Sequence, residues 1–277
     1  MKIEFIKMHG LGNDFILIDC VRPEGGGIGS ADFLTLAQKL CHRRFGIGAD
    51  QLLTLHPSRV ADFRMGIFNA DGGQVEMCGN GIRCLAKYIW DRGLSANAVL
   101  SVETLAGIIR PEKAGGMIRV DMGEPVLEGR LIPVNLDGLI KDLALKIDHK
   151  EFKITCVSMG NPHAVTVVDD VEGIDLKKYG PLIETHALFP RKINVEFIQI
   201  IDPENIKMRV WERGSGETMA CGTGASAAAV AAHLKGLTGK KVKVAVLGGE
   251  LMIEWEGNNH VYMTGPAVEV FEGLVNL

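Results

Sequence analysis

The chain has 277 residues, 47% hydrophobic and 23% charged, the proportions of a soluble globular protein large enough to bury a substantial core. Its 30 basic and 34 acidic residues give a net charge of -4 with no lysine- or arginine-rich run, so nucleic acid is not an expected partner. The longest apolar stretch, residues 225–232, is too short to cross a bilayer, and the N-terminus lacks the basic-then-apolar order of a signal peptide; no membrane association and a cytoplasmic location are expected.

In chain order, residues 2–8 alternate charged and apolar side chains and residues 14–20 form a short apolar, β-branched run, and both read as strands. Residues 23–30, with four glycines, read as a flexible surface loop. A helix is predicted over 32–43 with Asp32 as N-cap, then strands over 51–55 and 63–68. The helix predicted over 79–92 places Ile82, Leu85, Ala86 and Ile89 on one apolar stripe. Strands follow at 99–103, 118–122, 153–157 and 165–168, a helix at 176–187, and strands at 194–200 and 207–211. The helix predicted over 222–235 is apolar nearly all round and calls for enclosure on every side. Strands at 242–246, 251–255, 261–264 and 268–271 complete the chain. So many short strands with glycine and proline punctuation predict mostly antiparallel sheet.

The two halves echo one another. Phe68-Asn-Ala-Asp71 leads into Met77-Cys-Gly-Asn-Gly81, and Trp211-Glu-Arg-Gly214 leads into Ala220-Cys-Gly-Thr-Gly224. Each sets an aromatic ten residues before a C-G-x-G that opens a helix. Leu11-Gly-Asn-Asp14 and Met159-Gly-Asn-Pro162 repeat in similar register. The pattern predicts an α/β (α+β) protein of two pseudo-symmetric lobes, each a mostly antiparallel sheet curled around a central helix. The lobes are expected at 1–122, with a C-terminal strand in 266–277 returning to it, and at 123–265.

A cysteine just ahead of a helix faces unpaired N–H groups and the positive end of the dipole, which lowers a thiol pKa from ~8.5 toward ~3.5–7.5. Cys78 and Cys221 are therefore expected as thiolate-forming residues, and Cys20, Cys41, Cys84 and Cys156 as buried structural thiols. Flanking glycines let backbone N–H groups approach a carboxylate. Two such helix ends on one carboxylate place a thiol on each side of an α-carbon, the requirement for racemisation or epimerisation by two bases. A redox pair of Cys78 and Cys221, or a ligand-binding protein without catalysis, stays open beside that reading. No C-x-x-C, histidine metal spacing or nucleotide fingerprint occurs, so neither metal nor cofactor is predicted.

His9-Gly-Leu-Gly-Asn-Asp-Phe15, Gly48-Ala-Asp-Gln51, Phe68-Asn-Ala-Asp-Gly72, Met77-Cys-Gly-Asn-Gly-Ile-Arg-Cys84, Met159-Gly-Asn-Pro-His163, Asn194-Val-Glu-Phe197 and the run from Glu212 to Gly224 together resemble the diaminopimelate epimerase family. The resemblance runs in order along nearly the whole chain. It implies interconversion of LL- and meso-diaminopimelate without pyridoxal phosphate, in lysine and peptidoglycan precursor biosynthesis. It implies Cys78 and Cys221 as the catalytic pair, and Asn13, Gln51, Asn69, Gly79, Asn80, Asn161, Asn194, Glu212, Arg213, Gly222 and Thr223 as substrate-binding positions. Taken singly, each asparagine reads as a turn residue. Arg213 suits a carboxylate and Glu212 an ammonium, and His163 and Glu212 are the candidates for tuning a thiol. A racemase of another amino acid, such as proline, is the alternative; a homodimer is compatible with the pattern but not required by it.

Overall fold

The computed structural model describes residues 2–22 and 32–276; the loop expected at 23–30 lies outside them. β1 (Lys2–Gly10) alternates exposed and buried residues over its first four positions, β2 (Asn13–Asp19) is buried from Phe15 onward, and Leu11 and Gly12, both at positive φ (58° and 86°), close the hairpin between them. Asp32 caps α1 (Phe33–Leu40) by accepting from the N–H of Leu34. This helix stops short of the expected residue 43 because Ile47 and Gly48 fold back and donate to the Leu40 carbonyl. β3 (Gln51–His56), β4 (Phe63–Asn69), α2 (Gly79–Asp91), β5 (Val102–Thr104), β6 (Gly107–Ile109), β7 (Pro111–Ala114) and β8 (Met117–Asp121) follow.

The remaining elements are β9 (Leu143–Ile147), β10 (Lys150–Ser158), β11 (Pro162–Val167), α3 (Leu176–Glu184), β12 (Asn194–Asp202), β13 (Asn205–Glu212), β14 (Gly216–Glu217), α4 (Gly222–Leu234), β15 (Lys241–Val246), β16 (Gly249–Trp255), β17 (Val261–Gly265) and β18 (Val268–Asn276). β6, β7, β9 and the two-residue β14 are additions to the sequence reading. The first two are three and four residues long, and one opens on glycine and the other on proline, residues that ordinarily mark a loop.

By its internal contacts the chain divides into two units, Met1–Val120 with Gly265–Leu277, and Asp121–Thr264. In the first, the strand order is β18-β1-β2-β3-β4-β5-β6. Hairpins β1–β2, β3–β4 and β5–β6 lie side by side through parallel pairs β2–β3 and β4–β5, with α1 and α2 as the two crossovers. In the second, the order is β17-β16-β15-β13-β12-β11-β10-β9, and β14 pairs with β13. Hairpins β10–β11, β12–β13 and β15–β16 join through parallel pairs β11–β12 and β13–β15, with α3 and α4 as crossovers. β18 lies beside β1 as β9 lies beside β10. The same winding thus occurs twice, which makes the fold mixed α/β with two pseudo-symmetric lobes.

Each sheet wraps the second helix of its unit. α2 touches β1, β2, β3, β4 and β18, and Ile82, Leu85, Ala86 and Ile89 are each wholly buried, worth about 1.5–3 kcal/mol per isoleucine or leucine. α4 touches β10, β11, β12, β13, β15 and β16, and every residue from Gly224 to Ala232 is buried. Its alanines keep the helix thin enough to be surrounded. Among the described residues, no helix is long and apolar enough to cross a membrane.

Candidate active site

In the first unit Cys78 is the N-cap of α2. Its backbone is extended (φ -139°, ψ 116°), and Sγ accepts from the N–H of Gly81 at 3.5 Å, one of the donors a helix start leaves unpaired. The thiol lies 3.7 Å from Oδ1 of Asn13, which also accepts from Nδ2 of Asn80 at 3.1 Å. Asn13 donates from Nδ2 to Asp50 at 2.9 Å, so a carboxylate sets the turn of its amide. Arg43 bonds Asp50 at 2.6 Å and Asp14 at 2.7 Å. Although burial opposes ionisation, the hydrogen bonds and charges of Arg43 and Lys7 hold the Asp14 carboxyl down at about 2. Gln51 follows Asp50, and across the β3–β4 ladder its Nε2 donates to Oδ1 of Asn69 at 2.8 Å. Its own Oε1 is buried without a hydrogen-bond partner among the described residues.

In the second unit Cys221 is the N-cap of α4, with the same extended backbone (φ -120°, ψ 112°). Sγ accepts from the N–H of Gly224 at 3.3 Å and lies 3.4 Å from Oγ1 of Thr223. Near it are the carboxyl of Glu212, which accepts from the Thr218 hydroxyl, and that of Glu196. Glu196 and His163 are both wholly buried and meet at 2.7 Å through Nδ1, while Nε2 of His163 is 2.9 Å from Oδ1 of Asn161. Asn194 donates to the carbonyl of Pro162 at 2.8 Å and accepts from the N–H of Arg213 at 2.9 Å. It fixes the turn that carries Arg213, whose exposed guanidinium donates to the Arg191 carbonyl at 3.1 Å.

The helix-start position alone was expected to make both cysteines acidic. For Cys221 the structure corrects this. Burial, followed by the charges of Glu212 and Glu196, pushes its thiol well above the ordinary value, and the hydrogen bonds from Thr223 and Gly224 offset only part of that. Burial likewise raises the Glu212 carboxyl, against opposing effects of Thr218, His163 and Cys221. Burial also raises Cys20 to about 11 and Cys41, Cys84 and Cys156 to about 12, as inert structural thiols require.

A family model described as "Diaminopimelate epimerase" matches residues 5–128 and 155–270. Proteins named diaminopimelate epimerase from Acetivibrio thermocellus and Moorella thermoacetica are 52% and 53% identical to it, with 99% and 98% of both chains covered. The chain belongs to the diaminopimelate epimerase family. Among solved structures, a PhzF-family phenazine biosynthesis protein from Bacillus anthracis has a TM-score of 0.72 at 18% identity, covering all of both chains. A probable proline racemase from Agrobacterium radiobacter has 0.69 at 18%, covering 99% of this chain and 92% of that one. At such identities the likeness is one of fold.

Among the residues that the resemblance to the diaminopimelate epimerases marks out, Asn13, Cys78, Gly79 and Asn80 meet at the start of α2, with the Gln51–Asn69 pair on the strands behind Asp50. Asn161, His163, Glu212, Cys221, Gly222 and Thr223 gather at the start of α4, and Asn194 with Arg213 forms the adjoining turn. Sequence reasoning missed Asp50 and Glu196, the carboxylates that orient Asn13 and His163. Glu196 carried a signal: it is a charged residue between Val195 and Phe197-Ile198, in the half of β12 where every residue is buried and no side is solvated.

Proposed function

We propose that this chain interconverts LL- and meso-diaminopimelate, with Cys78 and Cys221 as the two acid–base groups acting on one α-carbon from opposite faces. The observation that carries the reading is the repeated cysteine N-cap, one per unit, each sulfur bonded to a helix-start N–H, in a chain of this family. In one direction the thiolate of one cysteine takes the α-proton as the C–H bond breaks, and the thiol of the other gives its proton to the opposite face as the new C–H bond forms. The sulfurs exchange roles, and reversal needs them in the exchanged state. Helix-start N–H groups at the substrate carboxylate oppose the charge that builds up there.

Diaminopimelate carries an ammonium and a carboxylate at each end, so its second centre needs fixing as well. Arg213 and the asparagine amides offer donors for a carboxylate, and Glu212 offers an acceptor for an ammonium. Cysteines kept as thiols fit work in the reducing cytoplasm. The test is turnover of diaminopimelate in heavy water, which is expected to place solvent deuterium at the α-carbon. Absence of incorporation refutes the reading, and faster exchange into proline than into diaminopimelate would move the assignment to a racemase of that amino acid.

A further inference from the structure

Glu196 takes no part in that proton relay, and its surroundings need a separate account. Its side chain lies mid-strand in β12 and is 0% exposed, and one carboxylate oxygen is held by Nδ1 of His163. The other, Oε2, has no hydrogen-bond partner among the described residues. Apart from His163 of β11, the titratable groups that feel its charge from other elements are acids: Glu212 of β13, Cys221 at the N-cap of α4 and Cys156 of β10. A buried carboxylate with one oxygen unbonded and acids for neighbours is costly unless the group that bonds it is a cation.

The far side of the imidazole points to the same conclusion independently. Nε2 of His163 faces Oδ1 of Asn161 at 2.9 Å. A carboxylate oxygen and an amide oxygen both only accept, so a ring set between them donates from both nitrogens. With its oxygen committed to the ring, Asn161 is left with its NH2 group to offer elsewhere.

We propose that Glu196 is a positioning residue for substrate recognition: its charge keeps His163 protonated on both nitrogens, and the ring turns the Asn161 amide so that it presents donors to a ligand carboxylate. The inference rests on reading the chain as an epimerase of an amino acid that bears a carboxylate at each end. Replacing Glu196 with glutamine leaves an acceptor for Nδ1–H but removes the charge. The ring then loses its second proton, Nε2 becomes an acceptor, and the Asn161 amide turns over to donate to it. An amide oxygen now meets the ligand carboxylate, acceptor against acceptor.

Nitrogen-15 NMR of the ligand-free protein tests the first step. The parent protein is expected to show two slowly exchanging ring N–H signals that vanish in His163→Asn, and Glu196→Gln is expected to keep one. A single ring N–H in the parent protein overturns the proposal, and this measurement needs no variant to fold. Kinetics test the second step. Glu196→Gln is expected to raise KM for diaminopimelate about tenfold with a smaller change in kcat. Because both act through one amide, Asn161→Ala combined with Glu196→Gln is expected to have the KM of Asn161→Ala alone. Independent, multiplying effects on KM overturn the link through Asn161. Should the parent protein fail to turn over diaminopimelate, the activity assignment falls, while the ring spectrum still decides the state of His163.

Discussion

Cys78 and Cys221 occupy the same backbone position: an N-cap in extended conformation, with the sulfur accepting from the N–H three residues on. Around Cys78 stand two amides, Asn13 directly and Asn80 through the same oxygen, and the charge of the Arg83 guanidinium is felt there as well. Around Cys221 the charges of two carboxyls, Glu212 and Glu196, act on the thiol, and the residue is only 5% exposed. Burial and two negative charges outweigh what one helix start supplies, about 0.3–1 kcal/mol at the surface and ~2 in favourable geometry. The local motif therefore fixes where each sulfur sits, and burial together with the charges brought by neighbouring strands decides how firmly Cys221 holds a proton. In the ligand-free protein the second unit thus carries a cysteine suited to giving a proton.

The harshest way to break the comparison is to remove one sulfur at a time. Cys78→Ala and Cys221→Ala are each expected to lose epimerisation by about 10²–10⁴-fold or more, since each leaves one face without a proton relay. Chiral analysis of product from purified variants checks this. Full turnover by either variant ends the two-base scheme.

Arg213→Ala comes next. An unpartnered substrate carboxylate loses about 1.5–3 kcal/mol, so KM is expected to rise about 10- to 100-fold. An unchanged KM removes Arg213 from recognition.

A subtler change sharpens the contrast between the two thiols. Glu212 adds negative charge beside Cys221 and so raises its proton affinity. Glu212→Gln in a Cys78→Ala background is expected to bring the thiol pKa down, so that alkylation of Cys221 at pH 8 speeds up about tenfold for each unit of fall. Rates that match the parental background would show that the charge of Glu212 does not set this thiol.

Much of this was legible in the sequence, for identifiable reasons. Cysteines 78 and 221 stood out because C-G-x-G repeats in register with an aromatic ten residues earlier, and a repeat is visible without any knowledge of contacts. The stripe of Ile82, Leu85, Ala86 and Ile89 gave α2, and the all-apolar run gave α4 its enclosure. The end of α1 was misjudged because it is set by Ile47 and Gly48 returning to Leu40, a tertiary event. α3 likewise ends at Glu184 rather than 187; the N–H of His186 bonds the Ile183 carbonyl three residues back instead of continuing the helical ladder. Asp50 and Glu196 escaped notice because each acts through a partner, Asn13 or His163, that lies more than thirty residues away in sequence.

The groups around the two sulfur sites also differ in how acid and alkali act on them. In the first, Asp14 has its pKa lowered from 3.8 to about 2, so its stabilising effect is present above pH 3.8 and lost as pH falls toward 2; at 1.36 kcal/mol per unit this is about 2 kcal/mol. In the second, Glu212 and Cys221 are both raised, so their contribution is complete below the unfolded-state values and lost as pH rises through the folded ones. Hydrogen exchange resolved by segment is expected to show β1 and β2 loosening first at pH 3 in the parent protein, and Asp14→Asn abolishing that pH dependence. Equal acid sensitivity in the two units contradicts the assignment.

The smallest expected effect separates the two helix starts most cleanly. Gly81 and Gly224 are equivalent, each third in its helix and each donating its N–H to a sulfur. A Cβ at Gly81 meets Cδ2 of Leu53 at 3.2 Å, the flexible tip of a leucine, and alanine there gains up to about 1 kcal/mol of helix preference. A Cβ at Gly224 meets Oε1 of Glu196 at 2.7 Å and the Cys221 sulfur at 3.2 Å, two buried groups each held by hydrogen bonds. Gly81→Ala is therefore expected to change stability by less than about 1 kcal/mol, and Gly224→Ala to cost about 1–3 kcal/mol and to disturb the His163–Glu196 contact. Chemical denaturation of the two variants side by side measures the difference. Equal losses would mean that the second helix start is no more tightly built than the first, and that the carboxylate beside Cys221 is free to yield.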